Sequence, residues 1–134
     1  AAPACVLAAA TDRLAPGGHI AVVGPYGANN RTLFDLLSRH LTLPDLVVRS
    51  ATTFMEHEVA PALEDRLALR RETFVNRISY PDASALLDYW RASTFYEPDC
   101  EDAVAADIAQ HFRRHDAFVV EKHVMAAIGK LETR

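Results

Sequence analysis

Leu14-Ala15-Pro16-Gly17-Gly18-His19-Ile20-Ala21-Val22-Val23-Gly24-Pro25-Tyr26-Gly27-Ala28-Asn29-Asn30 is the stretch that decides the fold. A Gly-rich turn opens it, an unbroken apolar run fills it, and a second turn closes it. A short apolar run between turn signals describes a strand covered on both faces, because alternation is unnecessary where neither face meets water. A buried central strand is therefore expected at Ile20-Ala21-Val22-Val23.

Upstream, Leu7, Ala10 and Leu14 recur at helical spacing, and Pro16-Gly17-Gly18 ends that helix and turns the chain into the strand. Downstream, Asn29 or Asn30 stands where a helix N-cap belongs, its side-chain oxygen able to accept from the free amides of the next turn. Leu33, Phe34, Leu36, Leu37 and Leu41 form the buried stripe of that helix. Leu43-Pro44-Asp45 breaks it, and residues 46–50 stay open between a short strand and a loop. Thr53-Phe54-Met55-Glu56 has the form of a capping box, followed by Val59, Leu63 and Leu67 at four-residue spacing, with Pro61 expected to kink or split the helix.

Residues 71–80 alternate, with Phe74, Asn76, Ile78 and Tyr80 on one face, and read as the next strand. A polar Asn76 on such a face must find a partner or lose about 1–3 kcal/mol to desolvation. It is either a structural hydrogen-bonding residue or a ligand contact. Pro81-Asp82 stops the strand and caps a helix carrying Leu86, Leu87, Tyr89 and Trp90, and an aromatic loop follows over residues 93–99. Val104, Ile108 and Phe112 mark a further helix. Residues 117–128 form a long last strand in which apolar residues surround Glu121-Lys122-His123. These three could serve acid/base chemistry, but alternation sends Lys122 away from its neighbours, and they are expected to mark where the strand passes from covered to exposed.

Three strands separated by helices give an α/β layout. At 134 residues, with 50% hydrophobic and 24% charged residues, the chain is sized for a single domain spanning residues 1–134. A net charge of -4 with scattered Lys and Arg provides no basic stripe for nucleic acid. No apolar run approaches the roughly 20 residues that cross a bilayer. Cys5 and Cys100 are too few and too far apart for a redox or metal motif, so two free thiols in a reducing cytoplasm are expected. His111 and His115 stand four apart, a spacing that can hold a metal, but nothing beside them supplies a third ligand and no metal site is expected.

The sequence also carries a family likeness. Leu14-Ala15-Pro16-Gly17-Gly18 with its apolar strand resembles the start of the fifth strand of class I S-adenosylmethionine-dependent methyltransferases. Pro25-Tyr26-Gly27-Ala28-Asn29-Asn30, Phe54-Met55, Phe74-Val75-Asn76-Arg77-Ile78, Asp88-Tyr89-Trp90-Arg91 and Glu121-Lys122-His123 resemble the C-terminal half of the type 11 branch. The likeness covers nearly the whole chain. It implies the C-terminal half of a Rossmann-like methyltransferase sheet, with three strands, the last antiparallel and inserted between the other two. The Gly-rich cofactor turn and the acidic ribose ligand of that family precede its Pro-Gly-Gly turn, and no G-x-G-x-G occurs here. S-adenosylmethionine is therefore expected to bind the complete enzyme and not this chain alone.

Ligands of open α/β sheets bind beyond the carboxyl ends of the parallel strands. On the implied topology, Tyr26, Asn29, Asn30, Asn76, Tyr89 and Trp90 are the candidate substrate-binding residues, with Phe95 and Tyr96 completing a wall and lid for a small-molecule acceptor. For Asn29 and Asn30 capping is the competing role, and for Tyr89 and Trp90 it is core packing. No catalytic residue is named, because no nucleophile with its base is present. The Ile20-Val23 edge is expected to need a partner: the missing N-terminal half, a complementary chain, or a second copy. Two other roles stay open: a non-catalytic interaction subunit using that edge, and an α/β domain whose likeness is one of fold alone.

Overall fold

The computed structural model describes residues 2–133 and divides into two compact units. One comprises the chain up to Asn29, Arg49–Val75 and the chain from His123 onward; the other comprises Asn30–Val48 and Asn76–Lys122. The described residues form an α/β structure whose open, antiparallel three-stranded sheet has the order β1-β3-β2, with β1 at His19–Pro25, β2 at Ala68–Tyr80 and β3 at Phe118–Lys130. The last strand thus lies between the other two. It pairs antiparallel with β1 from His19↔Lys130 to Pro25↔Val124.

In the first unit, α1 (Pro3–Thr11) starts on a proline, whose fixed φ suits the first helical position. The Pro-Gly-Gly turn follows, with Gly17 at φ 76°. The Gly17 amide donates to the Leu131 carbonyl and the Leu131 amide to the Gly18 carbonyl, both at 2.9 Å, which ties the turn to the end of β3. Met55, Val59, Leu63, Leu67, Met125 and Ala127 form the buried core, and Ile20 and Val22 pack against it.

The expectation of a strand covered on both faces is corrected by the burial of β1. It alternates, and Ala21 and Val23 face outward, with Val23 63% exposed. The apolar run has no polar alternation because the outer face carries Ala and Val, not because that face is covered. β1 is also an edge strand. The amides of Tyr26 and Leu131 donate to the carbonyls of His123 and Gly18. By the alternation of an antiparallel ladder, the even-numbered amides of β1 face β3 and those of His19, Ala21 and Val23 face the open edge. Pro25 falls on the edge-facing set, where its missing N–H removes no ladder bond.

Residues 46–50, for which the sequence leaves strand and loop open, belong to α3 (Asp45–Thr52), with Asp45 in its first turn and Arg49 in its last, both favourable to the helix dipole. The capping box is not formed. The Thr53 hydroxyl donates backward to the Arg49 carbonyl at 3.4 Å, and the chain stays helical through a π-helical turn at Met55–Val59 into α4 (Ala60–Glu64). Pro61 sits in the first turn of α4, so the helix is split as the proline requires, with the wider turn taking up the change.

In the second unit, α2 (Arg31–Ser38) buries Leu33, Phe34, Leu36 and Leu37. α5 (Ala83–Arg91) starts at Asp82, whose carboxylate accepts the Ala85 amide at 2.8 Å, as the sequence predicts. α6 (Glu101–Phe112) buries Val104 and Ile108 and packs against both α2 and α5. Trp90 is fully buried, its indole N–H donating to the Phe95 carbonyl at 3.2 Å, and Phe118 and Val120 complete this core. Among the described residues no helix is long and apolar enough to cross a membrane. Cys5 and Cys100 are both free.

Candidate functional site

The segment leaving β1, where the sequence places the site, is held by long-range bonds. In the first unit, Gly27 adopts φ 55° and donates its amide to the Thr52 carbonyl at 2.7 Å. Asn29 is buried, and its side-chain oxygen accepts the His123 amide at 3.2 Å. Tyr26 meets the His123 ring edge-on at 6.0 Å. Asn29 therefore satisfies a backbone donor of β3 where β1 has ended, and it does not cap α2.

Asn30 occupies the N-cap position of α2, but its side chain makes no cap bond. Its backbone lies in the left-handed region, at φ 60° and ψ 13°, which Asn tolerates better than most residues. The Asn30 amide donates to the Glu121 carbonyl at 3.0 Å, and its carbonyl accepts the Phe34 amide at 2.9 Å. With the backbone held in this way, the side chain turns to Lys122, whose Nζ donates to Asn30 Oδ1 at 2.5 Å. The capping expectation fails for both asparagines because their partners lie more than 90 residues away in sequence, beyond any local pattern.

Lys122 is the centre of the second unit's polar cluster. It also donates to the Tyr89 hydroxyl at 2.6 Å, with Nζ 4.8 Å from that ring's centroid. Tyr80 packs against Tyr89 with ring centroids 5.4 Å apart, and burial, with Tyr89 as a lesser cause, raises the Tyr80 phenol above its ordinary pKa. The cluster thus joins a half-buried ammonium, a side-chain amide and two phenols. It can receive an anion or a hydrogen-bond acceptor, and its phenols offer flat apolar walls.

Of the residues singled out in the sequence, Asn30 and Tyr89 are brought together through Lys122, while Tyr26 and Asn29 gather on His123. Trp90 is core, not pocket wall. The aromatic loop is pinned, with Phe95 edge-on to Phe34 at 5.5 Å and Trp90 edge-on to Tyr96 at 4.9 Å. The Tyr96 hydroxyl donates to Glu101, which also receives Arg91. Asn76 is exposed on β2 beside an exposed Phe74, so the buried polar group anticipated there does not exist.

Sequence reasoning sets Lys122 and His123 aside in favour of a strand-end role and does not single out Tyr80 as a site component. A signal exists for Lys122, which shares strand parity with Phe118, Val120 and Val124 and so stands on an apolar face. Glu121-Lys122-His123 does not mark an exposed strand end: all three are half-buried, and the strand continues to a buried Gly129. His111 and His115 stack with centroids 4.5 Å apart, and His111 Nε2–H donates to the Ala117 carbonyl at 2.8 Å. Among the described residues no three His, Cys, Asp or Glu side chains are grouped to hold a metal. No protein family matches the sequence, and no curated protein matches it significantly.

Proposed function

We propose that the chain is the C-terminal portion of an S-adenosylmethionine-dependent methyltransferase acting on a small molecule. In this reading it supplies the acceptor-side residues, and a half outside these residues holds the cofactor. The observation that carries the reading is the strand order β1-β3-β2 with β3 antiparallel to β1. That is the order expected of the last three strands of a class I methyltransferase, the family whose motifs the sequence resembles. The Asn30–Lys122–Tyr89 cluster adds a polar, aromatic-walled place for an acceptor. Catalysis would come from holding acceptor and sulfonium carbon in line, with proximity and orientation providing the rate.

The test is transfer of radiolabelled methyl from S-adenosylmethionine into a pool of small metabolites. The 134 residues joined to whatever their reading frame encodes around them should label a small molecule, and the 134 residues alone should not. No label from the joined protein would overturn the reading.

A second reading, favoured by the open edge of β1, is a non-catalytic subunit that pairs this edge with a complementary methyltransferase chain or with itself. Light scattering on the purified chain discriminates. A self-associated species would support edge pairing, and a monomer that captures no partner would oppose it.

A further inference from the structure

Lys122 is a half-buried cation whose two hydrogen bonds go to uncharged groups, the Asn30 amide oxygen and the Tyr89 hydroxyl. A partly desolvated ammonium is costly unless an anion compensates it, and an ammonium has three donors to place. The acidic groups of α5 are committed elsewhere: Asp82 caps the helix, and Asp88 pairs with Arg91 at 3.2 Å. Strand alternation turns Glu121 to the opposite face of β3. Tyr80, across the Tyr89 ring, is a neutral phenol at pH 7, as an ordinary tyrosine is, and burial only reinforces that state. One cation and one neutral phenol thus flank an aromatic surface.

We infer that this cluster is a carboxylate subsite, in which Lys122 anchors the carboxylate of a planar or aromatic small molecule lying against Tyr89 and Tyr80. The inference rests on the methyltransferase reading only in making that molecule the methyl acceptor. The anchoring itself is chemistry of this chain.

Benzoate and its uncharged isostere benzamide are the probes, titrated into the full chain. Binding is read by ligand-observed NMR and by the fluorescence of Trp90, the sole tryptophan and the residue next to Tyr89. Benzoate should bind at least about tenfold more tightly than benzamide, the difference one charge-assisted bond provides. Lys122→Met should remove that preference, and Lys122→Arg should keep most of it. Equal affinity for the two probes, or no benzoate binding up to about 10 mM, would overturn the subsite. The comparison of probes on the unaltered chain needs no variant, so a misfolded Lys122→Met does not spare the inference. Benzoate preference without methyl transfer from the joined protein would sustain the subsite and sink the methyltransferase reading. Methyl transfer without benzoate preference would do the reverse.

Discussion

Lys122 Nζ and the Tyr89 hydroxyl lie 2.6 Å apart, joining β3 to α5 through a half-buried, charge-assisted hydrogen bond. Tyr89→Phe keeps the ring and its contact with Tyr80 while removing the acceptor. Bonds to charged groups contribute about 1.5–3 kcal/mol. A loss of that size is expected in urea denaturation, with an unchanged slope. A loss below about 0.5 kcal/mol would mean that water replaces the hydroxyl without penalty.

Gly129 lies close against Leu67 in the first unit's core. A Cβ at Gly129 would stand 2.5 Å from Leu67 Cδ1 and 3.1 Å from its Cβ. Gly129→Ala should therefore destabilise by about 1–3 kcal/mol through overpacking. Leu67→Ala alone should cost about 2–5 kcal/mol through the cavity it leaves. The two changes should compensate in part, because each supplies what the other lacks, and a double-mutant cycle reads the coupling. Strict additivity would contradict the contact.

Glu101 accepts from Arg91 and Tyr96, and these bonds, led by Arg91, hold its carboxyl below the usual carboxylate range. A carboxylate with a lowered folded-state pKa contributes stability above its unfolded pKa of about 4.3 and loses it as pH falls through the folded value. Melting temperature should thus decline on acidification below about pH 4, and Glu101→Gln should be less stable at pH 7 with a shallower acid decline. The carbon-13 shift of the Glu101 carboxyl should titrate higher in Arg91→Met than in Tyr96→Phe. The opposite order would reverse the assignment of the leading cause.

The edge-facing amides of His19, Ala21 and Val23 should exchange with deuterium faster than those of Ile20 and Val22, which the ladder turns toward β3. Val23→Lys should change stability by less than about 0.5 kcal/mol, since the side chain is largely exposed, while blocking strand addition at this edge. Paired measurements of melting and of self-association by light scattering check both halves. Uniform protection across β1 in a monomer would show the edge to be covered.

What the sequence makes legible follows the reach of each interaction. Asp82 as a helix cap needs only residues three apart, and sequence and structure agree on it. The position of Pro61 where the π-helical turn gives way to α4 follows from its own ring, which leaves no amide to donate. Leu46-Val47-Val48 carries β-branched residues that suit a strand, yet the segment is helical in α3, where Asp45 and Arg49 stand favourably to the dipole and propensity is only a weak guide. Alternation tells which way Lys122 turns but not that Asn30 and Tyr89 wait there, for those partners are 92 and 33 residues distant. The insertion of β3 between β1 and β2 is implied by likeness of motifs, since no local rule sets strand order.

Calorimetric titration with S-adenosylhomocysteine most directly tests whether these residues are the acceptor-side half of a methyltransferase. Two proteins are compared: the 134-residue chain, and the same residues joined to the sequence that flanks them in their reading frame. Stoichiometric binding by the joined protein and no heat from the chain alone are predicted. Micromolar binding to the chain alone, or none to the joined protein, would contradict it.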